Sequence, residues 1–121
     1  MLAHPDAIVI PEEQIARGLM FVAEIRNEMV GFAAIEPRPD GDVDLDALFV
    51  DPRLQRQWIG RALVNHCGLI AQGRGSKAIR VVGNPHAAAF YESSGFKTCG
   101  TVQTRFGLGL LMYKPLHADG R

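Results

Sequence analysis

Cysteine is scarce in this sequence: only Cys67 and Cys99 occur, outside any CxxC pair or Cys/His cluster. Neither a disulfide framework nor a zinc site is indicated by that usage. Net charge is also lacking, since 13 basic residues face 13 acidic ones. A nucleic acid or an anionic membrane would favour a basic excess, so neither is expected as a partner. The same balance removes charge repulsion as a barrier to self-association, and a homodimer is compatible with it. Long apolar runs are absent too. Asp6, Glu12 and Glu13 interrupt the first apolar stretch, nothing resembles a secretory leader, and no segment approaches the ~20 apolar residues of a membrane span. The expected location is the cytoplasm. No repeat or low-complexity tract divides the chain.

What remains is ordinary for a globular protein: 47% hydrophobic and 21% charged residues over a length of 121. Domains commonly run to roughly 100–200 residues, so residues 1–121 read as one domain. Pro11 with Glu12 and Glu13 suggests a short helix, proline suiting a first turn and acids the positive dipole end. Met20 to Arg26 and Met29 to Glu36 read as strands, joined by a tight turn at Asn27-Glu28. Asp44 to Val50 alternates Asp44, Asp46, Leu48 and Val50 against Leu45, Ala47 and Phe49, and Asp51-Pro52 ends it. Ile59, Ala62, Leu63, Cys67 and Ile70 recur at helical spacing until Gly73 and Gly75. Ala78 to Val82 is a short strand. Asn84-Pro85 opens a second helix that ends at Gly95. Lys97 to Val102 and Leu110 to Lys114 are the final strands. The expected fold is α/β (α+β mixed): a single, mostly antiparallel mixed sheet with helices on both faces.

Two segments carry the chemistry. In Gln55-Arg56-Gln57-Trp58-Ile59-Gly60-Arg61-Ala62 a polar, basic loop runs into a helix. A helix start offers unpaired N–H groups and about half a unit of positive charge, so an anion such as a pyrophosphate suits it. A solvated cap whose glycine only permits close packing explains the same residues. The segment resembles the acetyl-CoA signature of the GNAT family (GCN5-related N-acetyltransferases), Gln/Arg-x-x-Gly-x-Gly/Ala, with Gln55 in the first place and Gly60 in the last. Trp58 stands where the family usually has its first glycine. A positive φ there would cost about 1–2 kcal/mol; packing of the indole into the core is the simpler expectation. Leu48, Phe49 and Val50 match the family strand whose backbone bonds the pantetheine arm.

The second segment is Asn84-Pro85-His86-Ala87-Ala88-Ala89-Phe90-Tyr91-Glu92-Ser93-Ser94-Gly95-Phe96. Helical spacing places Asn84, Ala87 and Tyr91 on one thin face and turns Phe90 toward the core. A lone tyrosine is most often a packing residue. The pattern Asn-x-x-Ala-x-x-Phe-Tyr-x-x-x-Gly-Phe, however, is similar to the second GNAT signature. That resemblance implies a tyrosine hydrogen-bonding the departing coenzyme A sulfur, with Asn84, Ala87 and neighbouring backbone holding the cofactor. It covers most of the chain and leaves the family's usual first strand and first helix without a match, as in a short form. Met20 to Arg26 would then be an exposed edge strand, a pairing liability that a dimer commonly covers.

The resemblance thus implies a GNAT-like acyl-CoA N-acyltransferase fold. Its activity would be transfer of acetyl from acetyl-CoA to an amine by direct ternary-complex attack, with no metal. The implied cofactor-binding residues are Leu48, Phe49, Val50, Gln55, Arg56, Gln57, Trp58, Ile59, Gly60, Arg61, Ala62, Asn84, Ala87, Phe90 and Tyr91. Tyr91, Asp46 and Asp44 are the catalytic candidates, the aspartates as base. Glu24 is a further carboxylate on a neighbouring strand; His86 reads as an exposed polar residue. Cys67 and Cys99 read as core and fit no covalent scheme. A non-catalytic acyl-CoA-binding or partner-binding module is the alternative. The acceptor is a small-molecule or peptide amine.

Overall fold

The structure is a computed structural model that describes residues 12–15, 18–54 and 57–116 in backbone, and side chains over 19–54 and 58–116. Its strands are β1 (Glu12–Ile15), β2 (Gly18–Ile25), β3 (Glu28–Pro37), β4 (Val43–Val50), β5 (Ala78–Gly83), β6 (Lys97–Thr104) and β7 (Gly107–Pro115). Helix α1 spans Gln57–Gly73 and α2 spans Ala88–Ser93. The strands form one mixed sheet in the order β1-β2-β3-β4-β5-β7-β6. Every neighbouring pair is antiparallel except β4 and β5. Parallel neighbours need a crossover, and α1 supplies it.

Val30, Ala33, Ile35, Val43 and Leu45 of the sheet bury against Ile59, Leu63, Val64 and Cys67 of α1, with Ile79, Val81 and Met112 completing the core. Gly31 lets α1 approach: a Cβ there would meet the Phe49 carbonyl oxygen and lie 3.3 Å from Leu63. Helix α2 is on the same side. Phe90 touches Gly60 of α1, and Tyr91 touches Gly83, whose alternation along β5 matches that of the buried Ile79 and Val81. Where the alternation of strands and helices predicts helices on both faces, both described helices thus share one. The cause is that β6, antiparallel to β7 as β5 is, runs parallel to β5, so β4–α1–β5 and β5–α2–β6 are both crossovers that advance in the same direction across the sheet. Right-handed crossovers in one direction lay their helices on one face. Phe49, Val82, Val102 and Leu111 of the other face remain exposed.

Three further expectations change. Glu12–Ile15 is a strand, not part of a helix, because its backbone pairs with β2 from Glu12↔Phe21 to Ile15↔Gly18; sheet pairing outweighs the weak helix-start signal. That pairing covers the first half of β2, so Met20 to Arg26 is not a fully open edge. The β2–β3 turn centres on Arg26 (φ 54°) and Asn27 (φ 67°), one residue earlier than the sequence suggests.

The β3–β4 register skips Asp46: Ala34 faces Ala47 and the next residue, Ile35, faces Leu45. This bulge reverses the alternation. Val43, Leu45, Leu48 and Val50 therefore face the helices, and Asp44 no longer shares a strict alternation with Asp46.

Candidate functional site

Pairing between β4 and β5 is confined to Val43↔Ile79 and Asp44↔Arg80. Beyond these two pairs β4 continues to Val50 and β5 to Gly83, so the strands part into a V. Asp42 pins the closed end, accepting hydrogen bonds from the Lys77 and Ala78 backbone N–H groups (3.0 and 3.2 Å) and from Arg80 Nε (3.3 Å). Ser76 Oγ adds a bond to the Gly41 carbonyl at 2.8 Å. At the open end β4 and β5 do not pair with each other among the described residues, an arrangement suited to an extended amide-bearing ligand.

Helix α1 begins at the mouth of this V. Its first turn contains no acidic residue, so its positive end keeps its attraction for an anion. The first turn of the helix, Gln57 to Gly60, presents its backbone N–H groups at this end. Gln55 and Arg56 lie outside the described residues, as does the Gln57 side chain. Trp58 takes part in the regular helix and is half-buried against the core; among the described residues only Arg26 and Asn27 are non-glycines with positive φ. Trp58 thus has no positive φ, and the cost that one would carry does not arise. Ile59 is 1% exposed and serves the core. Gly60 is buried: a Cβ there would lie 3.0 Å from two ring atoms of Phe90 and 3.7 Å from Val50. Its missing side chain makes room for a ring, and only its backbone can face a ligand. Arg61 reaches across to α2, with Nη2 3.4 Å from Ser93 Oγ. Ala62 is half-buried beside it.

The second segment starts with Asn84, whose Oδ1 accepts the His86 N–H at 2.8 Å and caps a single 3₁₀ turn, Pro85–Ala87. Only then does α2 begin, so Asn84 and Ala87 precede the α-helix instead of stacking within it. Phe90 and Tyr91 are half-buried and edge-on, with centroids 5.3 Å apart. Burial pushes the Tyr91 phenol above its ordinary value, keeping it protonated as a donor. Lys114 Nζ donates to the Ser94 carbonyl at 2.7 Å and closes the C-terminal end of α2. Desolvation lowers the pKa of this lysine.

The carboxylate candidates separate. Asp44 Oδ1 accepts a bond from Arg38 Nη1 at 2.8 Å, and both line a depression of about 580 Å³ with Glu36, Pro37 and Pro39. Its charge is already balanced. Asp46 is exposed at the bulge, beyond the last β4–β5 pair. Glu24 lies on β2, two strands from β4 and about 10 Å away. His86 is exposed. Of β4, Leu48 and Val50 pack on the core while Phe49 is 40% exposed and stacks on Phe32 at 5.5 Å. Cys67 is buried, and desolvation pushes its thiol up to about 12. Sequence reasoning missed Asp42 and Gly83; a glycine closing a β-branched strand is the one available signal for the latter.

Comparison with known proteins supplies the family. Residues 16–98 match the family described as acetyltransferase (GNAT) domain. A peptidyl-lysine N-acetyltransferase of Salmonella typhimurium, YjaB, is 35% identical over 75 residues, which are 62% of this chain and 47% of that protein. The matched stretch therefore spans about half the length of this relative. Among solved structures, the ribosomal-protein-S18-alanine N-acetyltransferase of Escherichia coli superposes with a TM-score of 0.71 and 29% identity, over 85% of this chain and 72% of that one. An IAA acetyltransferase of Bacillus cereus reaches a TM-score of 0.82 at 19% identity, over 91% and 100% of the two chains. A GNAT family acetyltransferase of Elizabethkingia anophelis with acetyl-CoA bound reaches 0.82 at 17%, over 92% and 99%.

Proposed function

The chain belongs to the GNAT acetyltransferase family, and from that premise we propose that it transfers an acetyl group from acetyl-CoA to an amine by direct attack in a ternary complex. The observation that carries the proposal is the parting of β4 and β5 after two residue pairs. It lies between an α1 start without acids and the end of β5 against which Tyr91 rests. The pantetheine amides run along the β4 edge near Leu48 to Val50, and the pyrophosphate sits at the positive start of α1, Gln57 to Gly60. Gln55 and Arg56 are proposed to approach the same phosphates. Bound relatives such as the Elizabethkingia protein carry acetyl-CoA, in keeping with this reading.

An aliphatic amine titrates near ~10.4 and must lose its proton before attack. Asp46 is the proposed base, directly or through water, because Asp44 is committed to Arg38. The neutral nitrogen adds to the thioester carbonyl, the tetrahedral intermediate collapses, and the C–S bond breaks. Full proton transfer from Tyr91 to the leaving thiolate is unfavourable: a thiol titrates near ~8.5 and tyrosine near ~10, and burial raises Tyr91 further. Its role is a hydrogen bond to the developing thiolate, an electrostatic stabilisation of the transition state.

The rival reading is an acyl-CoA-binding or partner-binding module without turnover, which a strained tryptophan at the family's glycine position, Trp58, would favour. An ordinary helical conformation at that residue weakens the support. The discriminating assay is steady release of free thiol from acetyl-CoA with a panel of peptide, amino-acid, polyamine and antibiotic amines. Amine-dependent release at catalytic protein concentration supports the transferase; acetyl-CoA binding with no release across the panel supports the module.

A further inference from the structure

We infer that Gly83 is a positioning residue for Tyr91: the bare backbone of this glycine is the floor on which the tyrosine ring is seated. The inference rests on the reading of Tyr91 as donor to the leaving sulfur. Gly83 ends β5, pairs with Leu110 and is buried. Its backbone needs no glycine, because its φ is not in the left-handed region. The ring needs it. A Cβ on Gly83 would stand 3.2 Å from both Cδ2 and Cε2 of Tyr91 and 3.5 Å from Met112 Sδ. Phe90 and Phe96 then hold the ring from two sides, each edge-on at 5.3 Å.

Helix α2 cannot set this position by itself. It has six residues, and its N-cap Ala87 makes no side-chain capping bond. A helix this short is marginal without tertiary contacts. Beside the Lys114 and Arg61 bonds to its C-terminal end, two rings in two glycine notches place it: Phe90 against Gly60 on α1 and Tyr91 against Gly83 on β5. The first notch spaces α2 from the helix start that faces the phosphates. The second fixes the height of the Tyr91 hydroxyl above the end of β5. A misplacement of about 1 Å costs on the order of a hundredfold in rate.

Gly83→Ala demands a shift of a few tenths of an ångström from the ring. The expected result is a roughly tenfold fall in kcat, with the acetyl-CoA KM changed less than twofold. The diagnostic measurement is a double-mutant cycle with Tyr91→Phe. Without the hydroxyl there is nothing left to position, so Gly83→Ala should add little further loss in that background. Phe96→Leu, which trims the seat from another side, should show the same dependence and serves if Gly83→Ala does not fold. Full kcat in the Gly83 and Phe96 variants, or equal losses with and without the hydroxyl, overturns the inference. Undiminished kcat in Tyr91→Phe alone overturns instead the reading of Tyr91 as sulfur donor, and the inference falls with it; a loss there with none from Gly83→Ala refutes the positioning role alone.

Discussion

Alanine at Gly60 and at Gly68, two positions in one helix, should change stability in opposite directions. Both glycines are within α1, where alanine gains up to about 1 kcal/mol of helix propensity. At Gly68 the added methyl meets Leu116 at 3.4 Å, Ile79 at 3.9 Å and Lys114 at 4.0 Å, ordinary contact distances. Gly68→Ala should therefore stabilise by about 0.5–1 kcal/mol. At Gly60 the methyl lies 3.0 Å from Cε1 and Cζ of Phe90, and the ring must retreat by several tenths of an ångström. Overpacking of this kind costs about 1–3 kcal/mol, so the net effect after the propensity gain is destabilisation of about 0–2 kcal/mol. For a chain of this size 1 kcal/mol moves the melting temperature by about 4 °C. Denaturant unfolding of the two variants beside the wild type measures the difference directly, and constant m-values would license the comparison. If Gly60→Ala stabilises as much as Gly68→Ala, the Phe90 notch is not a tight contact and the account of how α2 is seated is wrong.

Four other predictions concern the site and the two cysteines. Tyr91→Phe keeps the ring in its seat and removes only the hydroxyl, so acetyl-CoA should bind as before while kcat falls about a hundredfold to a thousandfold; retention of half the wild-type kcat would make Tyr91 a packing residue. Asp46→Asn should lower kcat about a hundredfold, whereas Asp44→Asn should mainly disturb Arg38; a larger kcat loss from Asp44→Asn reverses the assignment of the base. Cys99 should react with a thiol reagent in the native protein and Cys67 only after unfolding, since Cys67 is buried and Cys99 exposed. Because burial raises the Cys67 pKa from about 9 to about 12, its contribution to stability is intact below pH ~9 and is lost as pH rises toward ~12. Alkaline unfolding curves that did not differ between wild type and Cys67→Ala over that range would contradict this.

Most of the architecture was legible because its signals are local. The period of α1, the Asn84-Pro85 start and the β-branched strands follow from sequence spacing. What escaped depends on pairing. The bulge at Asp46 cannot be read from alternation, since it appears only when β4 is laid against β3, and it inverts which residues face the core. The strand at Glu12–Ile15 has little β-propensity beyond Ile15 and forms because β2 offers a partner. The site divides in the same way. Tyr91 and the helix start were visible as motif and spacing. The commitment of Asp44 to Arg38 and the service of Gly60 to Phe90 are tertiary facts. Gly60 illustrates the limit well: one glycine satisfies both a phosphate-loop pattern and a packing notch, and the sequence alone does not separate them.

The most direct test of the central claim follows the acetyl group itself. Acetyl-CoA labelled in the acetyl carbon is incubated with the protein and an amine panel, and the products are resolved by mass spectrometry. The account predicts that label appears on acceptor nitrogen through many turnovers. It predicts no acetylated protein intermediate when the acceptor is withheld, and transfer should drop about a hundredfold or more in Tyr91→Phe. Label that remained on coenzyme A with every amine, under conditions where acetyl-CoA demonstrably binds, would contradict it.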